Sequence, residues 1–438
     1  QHTAKETLST TMKISDVSMF AAIALSCHST DASQSEDYLE KVYFGGRWWR
    51  DGDAMRHSWG TGTFEVRFTG STGLGVEMGA AVAGAYYTCT VDGGPEQRFL
   101  VSHNVMNPTP DALTFAGLSA AAEHVVWCGR NNEASYGDTL VAGVRLDHGG
   151  RLLRAEDPNA DDGMLRFEAI GDSITAGYKV TVPPGSSDPA TIANQDVFRT
   201  YVRRMADAWG TTDYRVIAKS GVSILEYGTT GIVMPREWPC REYWAGWEGG
   251  CPERWEFEGW QADVVTVNLG TNDAAFGDPT QQQFRAGYRA FLRQIRAEYP
   301  HALIACIEPI QHACSGDSFA RLTGIVDGTE QAVHDMHDEK VIFYETGRTA
   351  DPWLDCSPST QDFMDFTHPT VQGNHKFATH LLAAMTEDVR RFFPQKCGGT
   401  GPICGAGATA PPGAHPTASP MSSPVAPPPT ASPVSSPR

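Results

Sequence analysis

The sequence predicts two folded domains of different class, an all-β domain with a jelly-roll-like sandwich and then a three-layer α/β/α domain built on a parallel sheet. Three observations predict this. The first part of the chain contains short runs of alternating apolar and polar residues, and the second part alternates apolar runs with helical periods. The 438 residues are enough for two domains and a tail.

Residues 38–153 are predicted to form the β domain. In the run TFEVRF (63–68) apolar and charged side chains alternate, which is the period of a strand with one buried face. The triplet Asp-Gly-Gly at 92–94 lies between two strand-like runs and predicts a hairpin. Because short strands recur without a helical period, we expect a sandwich or jelly roll.

Residues 164–396 are predicted to form the α/β domain, after a polar boundary at 154–163. Five mostly apolar runs read as strands, and the segments between them carry apolar residues at helical spacing. Strands that alternate with helices indicate a parallel sheet covered on both faces. The runs are LRFEAI, YRVIAKS, ADVVTVNL, ALIACIEP and KVIFYE. The two clearest helical faces are Phe284, Tyr288, Phe291, Leu292 and Ile295, and Phe377, Leu381, Met385, Val389 and Phe392.

The two ends of the chain are predicted to lie outside both domains. Residues 1–37 contain a lysine after Met12, an apolar run from Val17 to Cys27 and then small residues, which is typical of a secretory leader. Residues 405–438 are rich in Pro, Ser and Thr and are expected to be a disordered linker or stalk without a hydrophobic anchor. These features predict a secreted, extracellular protein.

Composition excludes several classes of function. The net charge of −18 disfavours binding to nucleic acid or to an anionic membrane, and no apolar run is long enough to span a bilayer. The HDMH stretch (334–337) is better explained as an exposed helix face than as a metal site. We therefore expect no metal and no cofactor.

Ten cysteines are present, and none forms a CxxC pair, which argues against zinc-ribbon and thioredoxin-like sites. The close pairs Cys240/Cys251 and Cys397/Cys404 predict local disulfides in an oxidising compartment.

Polar residues follow three of the predicted strands and precede the last helix. They are Gly171-Asp172-Ser173, Ser220-Gly221, Gly270-Thr271-Asn272-Asp273 and the pair Asp365 and His368. Because the carboxyl ends of parallel strands meet at one edge of a sheet, these distant segments are expected to converge there.

The converging residue types suit acyl transfer. Ser173 needs a base, and His368 can accept its proton near neutral pH. Asp365 can orient the imidazole and stabilise the imidazolium. The backbone N–H groups of Ser173 and Gly221 and the side-chain amide of Asn272 can donate to a tetrahedral oxyanion.

Taken together, GDSITAG, SG, GTND and DFTHP resemble the four sequence blocks of the SGNH, or GDSL-type, hydrolases across about residues 164–393. The resemblance implies a three-layer α/β/α fold, a triad of Ser173, His368 and Asp365, and an oxyanion hole formed by Ser173, Gly221 and Asn272.

The β domain narrows the resemblance. YFGGRWW, the VDGG hairpin and GIVMPREW are similar to segments of carbohydrate esterase family 2. That family implies deacetylation of plant cell-wall polysaccharides such as xylan or glucomannan, often at the primary 6-position. Some members lack the acidic residue of the triad. Since Asp365 is present here, a full triad is expected.

The segment 225–260 is unusually aromatic. It contains Tyr243 and five tryptophans, and a disulfide between Cys240 and Cys251 is expected to close it. We expect three of the tryptophans to form a local core and one or two to contact sugar. The tryptophans are Trp238, Trp244, Trp247, Trp255 and Trp260.

Two other functions remain open from the sequence. The same scaffold could serve a lipase or lysophospholipase, which would prefer long acyl chains. The chain could also be a carbohydrate-binding protein that has lost catalytic activity. The presence of Ser173, Asn272 and His368 argues against this alternative. The main prediction is a serine esterase acting on an acetylated polysaccharide or oligosaccharide.

Overall fold

The computed structural model describes residues 38–397, apart from 82, 103–107, 158–162, 213, 228–230, 244–250, 311–316, 348–352, 356–360 and 366. The predicted leader 1–37, the tail 405–438 and half of the boundary, residues 158–162, lie outside the described residues.

The N-terminal part of the chain forms two antiparallel sheets. In the described residues one sheet has the order β1-β4-β9-β6-β7, with β11 also paired to β4, and the other has the order β2-β3-β10-β5-β8. The strands are β1 (Tyr43–Gly45), β2 (Trp49–Asp51), β3 (Ala54–His57), β4 (Thr63–Thr69), β5 (Gly73–Ala80), β6 (Ala85–Val91), β7 (Gln97–Val101), β8 (Thr109–Ala116), β9 (Glu123–Arg130), β10 (Thr139–Leu146) and β11 (Arg151–Leu153).

The hydrophobic core of this domain lies between the two sheets. Phe64, Val66 and Phe68 of β4 are fully buried against β5 residues such as Val76 and Met78. The predicted hairpin is confirmed, since β6 pairs antiparallel with β7 across the Asp-Gly-Gly triplet. The alternation in the sequence therefore produces the sandwich, because one face of each sheet can be removed from water.

The C-terminal part of the chain forms a parallel sheet with the order β13-β12-β14-β15-β16. Its strands are β12 (Phe167–Gly171), β13 (Tyr214–Ala218), β14 (Val264–Asn268), β15 (Leu303–Ile307) and β16 (Val341–Tyr344). The first four strands are buried throughout, as both-face coverage requires. The predicted fold class is confirmed.

Helices cover both faces of this sheet. α2 and α7 pack in one core cluster, and α5 and α6 pack in the other. The apolar faces predicted for α5 and α7 are buried, and only Phe392 at the end of α7 is partly exposed. The helices are α1 (Ser173–Ala176), α2 (Tyr201–Trp209), α3 (Met234–Glu237), α4 (Thr271–Phe276), α5 (Gln281–Glu298), α6 (Asp317–His334) and α7 (Val371–Phe392).

A buried ion pair joins the β sandwich to the parallel sheet. Arg47, which follows β1, lies 3.3 Å from the carboxylate of Glu168 on β12, and both side chains have no exposed surface. Trp238 Nε1 and Tyr299 Oη also donate to that carboxylate, at 2.7 and 3.0 Å. Three donors therefore satisfy the buried carboxylate of Glu168. Through this ion pair the two domains share a buried polar contact at β12.

Candidate active site

The candidate site begins where three neighbouring strands end at the same level. Gly171, the last residue of β12, is in register with Ala218 of β13 and Asn268 of β14. β12 connects to β13 on one side, whereas β14 lies on its other side. A crevice forms at such a change of strand direction, outside the carboxyl ends of the strands.

Ser173 lies directly beyond β12, at the first position of the short helix α1. Asp172 caps this helix, and its Oδ1 accepts a hydrogen bond of 3.0 Å from the backbone N–H of Ile174. The helix ends at Gly177, which has a φ of 77°. The strand and the cap together hold the Ser173 side chain at the crevice.

His368 lies on the loop before α7 and points its ring at Ser173. Nε2 of His368 is 2.9 Å from Oγ of Ser173. On the other side of the ring, Nδ1 is 3.1 and 3.0 Å from the two carboxylate oxygens of Asp365. The ring of Tyr178 packs against the imidazole, with 4.7 Å between ring centroids. The structure thus brings together the three side chains that the sequence analysis selected.

Asp365 is held as a carboxylate by its surroundings. Partial burial would raise its pKa, but the hydrogen bond and charge of His368 and the backbone N–H groups of His368 and Thr367 lower the pKa to about 2. Those N–H groups are 2.7 and 2.8 Å from Oδ1. The ionised group can fix one imidazole tautomer and stabilise an imidazolium.

Three hydrogen-bond donors follow the ends of the same three neighbouring strands. Gly221 follows β13 in a turn in which Val222 donates to the carbonyl of Lys219 at 3.3 Å. Gly221 has a φ of 81°, which favours glycine. In the described part of the chain, the backbone N–H groups of Ser173 and Gly221 have no acceptor among the assigned hydrogen bonds. Both are therefore available to a negatively charged oxygen.

The third donor is the side-chain amide of Asn272 on α4. Its Nδ2 donates to the carbonyl of Val222 at 2.8 Å and makes a longer contact of 3.4 Å with Oδ2 of Asp172. The first bond fixes the orientation of the amide. The second is long, which leaves that hydrogen able to turn toward a stronger acceptor in the crevice.

Asp273 has a supporting role that the sequence analysis did not assign. Its buried carboxylate accepts from the N–H groups of Ile224 and Leu225 and from the hydroxyl of Tyr227, at 2.9 to 3.2 Å. Burial raises its pKa to about 6, although these hydrogen bonds oppose the shift. Its place beside Asn272 in the GTND block was the only signal available in the sequence. The contacts themselves form only after folding.

Comparison with known protein families gives two matches to different parts of the chain. The GDSL-like lipase/acylhydrolase family matches residues 169–376, and the carbohydrate esterase 2 N-terminal domain matches residues 44–155. The chain contains a GDSL-like lipase/acylhydrolase domain, preceded by a carbohydrate esterase 2 N-terminal domain. The family resemblance seen in the sequence is confirmed.

One relative of this chain is the cellulase/esterase CelE of Acetivibrio thermocellus. The two are 27% identical over 282 residues, which are 63% of this chain and 32% of CelE. The chain therefore spans about a third of the relative that it matches.

Solved structures show the same fold. A family two carbohydrate esterase from Clostridium thermocellum, determined in complex with cellohexaose, covers 81% of this chain and 99% of its own at 23% identity and a TM-score of 0.64. A family two carbohydrate esterase from Cellvibrio japonicus covers 81% and 96% at 17% identity and a TM-score of 0.65. An acetyl xylan esterase from Butyrivibrio proteoclasticus covers 81% and 97% at 18% identity and a TM-score of 0.64.

The described part of the aromatic segment contributes mainly to the core. Trp238 and Trp260 are buried, and Trp255 packs against the same cluster. Tyr243 is partly buried and meets Trp59 of the β domain edge to face, with 6.0 Å between centroids. Trp244 and Trp247 lie outside the described residues, so the expected sugar contacts stay a prediction.

The prediction of a Cys240–Cys251 disulfide is wrong. Both residues are free thiols, and Sγ of Cys240 contacts the carbonyl of Arg236 at 3.1 Å. The segment is closed instead by backbone pairing, in which Arg241 N donates to Glu253 O at 3.0 Å and Trp255 N to Pro239 O at 2.9 Å. The two thiols nevertheless lie next to each other: burial raises the pKa of Cys240, and the neighbouring Cys251 raises that pKa further.

Within the part of the chain that the structure describes, a disulfide joins Cys89 and Cys128. The two residues are direct partners in the register between β6 and β9. This pairing depends on the strand order, which the sequence analysis did not establish. Of the second expected pair, Cys404 lies outside the described residues.

Among the described residues, no helix is both long enough and apolar enough to cross a membrane.

Proposed function

We propose that this chain is a secreted serine esterase that removes acetyl groups from plant cell-wall polysaccharides. Ser173 is the nucleophile, His368 the general base and Asp365 the residue that orients the histidine. The observation that carries the proposal is the 2.9 Å hydrogen bond between Ser173 Oγ and His368 Nε2, with the carboxylate of Asp365 behind the ring.

The geometry supports a two-step reaction. Oγ of Ser173 attacks the ester carbonyl carbon while its proton passes to Nε2 of His368. The tetrahedral oxyanion accepts hydrogen bonds from the N–H groups of Ser173 and Gly221 and from Nδ2 of Asn272. The imidazolium then gives its proton to the leaving sugar oxygen, and an acetyl-serine remains. Water then gives a proton to His368 and attacks the acetyl carbon. As acetate leaves, the imidazolium returns that proton to Oγ of Ser173.

The choice of a carbohydrate ester rests on the relatives. The N-terminal domain matches a carbohydrate esterase 2 domain, one similar structure is of an acetyl xylan esterase, and another holds cellohexaose. The Cys89–Cys128 disulfide supports secretion, because such bonds persist mainly in oxidising compartments. The leader-like sequence at 1–37 supports it as well.

The test is acetate release from acetylated xylan, acetylated glucomannan and a soluble cellulose acetate. The wild type is compared with Ser173→Ala and with Ser186→Ala, a control in a loop where Ser186 Oγ accepts from Asp188 N. We expect the wild type and the control to release acetate and Ser173→Ala to release almost none. Faster turnover of long-chain nitrophenyl esters than of acetyl esters would favour a lipase. Polysaccharide binding without ester turnover would favour a binding protein.

A further inference from the structure

Glu133 connects the β domain to the turn that carries Gly221. It lies between β9 and β10 and is 5% exposed. Its Oε2 accepts two hydrogen bonds from Ser220, 2.7 Å from the backbone N–H and 2.6 Å from the hydroxyl. Ser220 immediately precedes Gly221, so one carboxylate of the N-terminal domain holds the residue next to an expected oxyanion donor.

Glu133 is itself held in place from several sides. The hydroxyl of Ser135 donates to its second carboxylate oxygen, and the buried Arg130 donates to its backbone carbonyl at 3.1 Å. Its own N–H donates to Oε1 of Gln195, in the C-terminal domain, at 3.0 Å. A group that is fixed in this way can impose a geometry on its partner, because moving it would break bonds in both domains.

Four-residue turns such as the one at 219–222 occur in two related forms, which differ in the orientation of one peptide plane. The positive φ of Gly221 at its third residue is typical of a type II turn. In the related type I turn the peptide between the second and third residues is rotated by about half a turn. That peptide carries the Gly221 N–H, so a flip would point the expected donor away from its present direction.

We propose that Glu133 is a positioning residue for the oxyanion hole: by accepting from the backbone N–H and the hydroxyl of Ser220, its carboxylate fixes the residue from which the peptide carrying Gly221 N–H extends toward the reacting carbonyl. The inference rests on the proposed function. It makes the β domain a part of the catalytic apparatus, since the residue that orients this donor belongs to a different domain from the nucleophile.

The charge of Glu133 is not the feature that this role needs. A carboxylate near the hole opposes the negative charge that develops there. Lys219 lies nearby, since its Nζ would be 3.9 Å from a Cβ placed on Gly221. Burial lowers the pKa of Lys219, and attraction to Glu133 opposes that shift. The role therefore rests on the acceptor geometry, which a glutamine can supply through its Oε1 while its amide donates to Ser135.

The experiment compares Glu133→Ala and Glu133→Gln with Glu96→Gln. Glu96 is a suitable control because it also links the two domains, through an exposed ion pair of 2.8 Å with Arg199. For each variant kcat and KM are measured with 4-nitrophenyl acetate. The inhibition constant of phenylboronic acid is measured as well, because Ser173 Oγ bonds to boron, its proton passes to His368 and the adduct carries a negative charge.

We expect Glu133→Ala to lower kcat by about 100-fold and to weaken boronate inhibition by a similar factor, with KM changed less than about 3-fold. Glu133→Gln should recover all but about 5-fold of kcat, and Glu96→Gln should match the wild type. Ser220→Ala removes one of the two bonds and should cost about 3- to 10-fold in both readouts. If Glu133→Ala does not fold, the Ser220→Ala variant tests the positioning role of Glu133 in its place.

A folded Glu133→Ala variant with the kcat and boronate affinity of the wild type would overturn the proposal. So would a loss of kcat without a loss of boronate affinity, or a Glu133→Gln variant as slow as Glu133→Ala. If Glu133→Ala is unfolded, a Ser220→Ala variant equal to the wild type overturns it. Failure of the wild type to hydrolyse the ester would instead refute the proposed function.

Discussion

Nε2 of His368 and Oγ of Ser173 are 2.9 Å apart although 195 residues separate them in the chain. The loop that carries His368 is closed on itself, since Met364 N donates to His368 O at 3.0 Å and Thr370 N donates to Asp362 O at 2.9 Å. Thr370 then caps α7, which packs against the sheet. The histidine is thus positioned by a helix that the sheet itself anchors.

Asp365 is predicted to contribute to the rate and not only to the shape of its loop. In Asp365→Asn the side-chain oxygen can still accept from the N–H groups of Thr367 and His368, but the negative charge facing Nδ1 is lost. We expect kcat to fall by about 100-fold or more while the thermal midpoint changes little. The measurement is steady-state hydrolysis of 4-nitrophenyl acetate together with a thermal melt.

Asp207→Asn is the control for this change, because Asp207 forms an exposed pair with Arg203 on α2. It should leave both readouts unchanged. An Asp365→Asn variant as fast as the wild type would mean that His368 is oriented by other groups and that a dyad suffices.

Gly221 is predicted to be needed for its backbone conformation. A Cβ at Gly221 would meet no atom closer than Lys219 Nζ at 3.9 Å, so alanine fits the space, but its φ of 81° disfavours any side chain. We expect Gly221→Ala to cost about 1–2 kcal/mol of unfolding free energy and to shift the strained 220–221 peptide. Because this shift displaces the donor, kcat should fall by about 10-fold or more.

Gly93→Ala separates strain from catalysis. Gly93 lies in the β6–β7 hairpin with a φ of 67° and open space around it. It should lose similar stability with unchanged kcat. Equal effects of the two alanines on kcat, measured on folded protein, would remove Gly221 from the oxyanion hole.

Asp172 is predicted to give the rate a dependence on pH near neutrality. Burial raises its pKa to about 7, although the Ile174 N–H and the charge of His368 lower it. As the pH rises through 7 the carboxyl of Asp172 ionises. We expect its attraction to the imidazolium of the transition state to outweigh its repulsion of the oxyanion, so kcat/KM should rise. Asp172→Asn should flatten part of that rise and lower the value at high pH by about 10-fold. An unchanged profile would contradict this role.

The same pKa predicts a trend in stability. The folded state holds the proton of Asp172 up to about pH 7, whereas an exposed carboxyl loses it near its ordinary value of 3.8. The unfolding free energy should therefore decline as the pH rises between these values. Asp273, with its pKa of about 6, adds to the decline. Urea unfolding of Asp172→Asn should show a smaller decline than the wild type, and an equal decline would contradict the assignment.

Arg47 is predicted to hold the two domains together. Arg47→Ala leaves Glu168 buried with one cationic partner removed, and we expect a loss of about 3–5 kcal/mol in urea unfolding. Arg56→Ala breaks the partly exposed pair with Asp51 and should cost less than about 1 kcal/mol. Equal small losses for both variants would show that Glu168 relies on Trp238 and Tyr299 alone.

The sequence predicts local structure well here because hydrophobic period is a local property. Alternation in 63–68 and the apolar faces of α5 and α7 specify buried faces before any tertiary contact is known. The order of strands and helices then gives the fold class. It also implies that the ends of β12, β13 and β14 meet, and the structure places Ser173, Gly221 and Asn272 there. Their roles in catalysis stay predictions.

Contacts between distant segments were beyond the reach of the sequence. The Cys89–Cys128 bond depends on the register of β6 against β9. The aromatic segment is closed by backbone hydrogen bonds, which cannot be predicted from side-chain identity. Glu133 reaches Ser220 from another domain and carries no motif. Such partners are chosen by the packing of the two domains, so only the folded chain reveals them.

The most direct test of the central claim is covalent labelling with a fluorophosphonate, in which serine Oγ displaces fluoride from phosphorus. Intact mass and peptide mapping identify the labelled residue. We expect one adduct, on Ser173, that is absent in Ser173→Ala, retained in Ser186→Ala and formed much more slowly in His368→Ala. A wild type that hydrolyses acetyl esters yet carries its adduct on another residue would contradict the assignment of Ser173 as the nucleophile. So would a Ser173→Ala variant that is labelled as fast as the wild type.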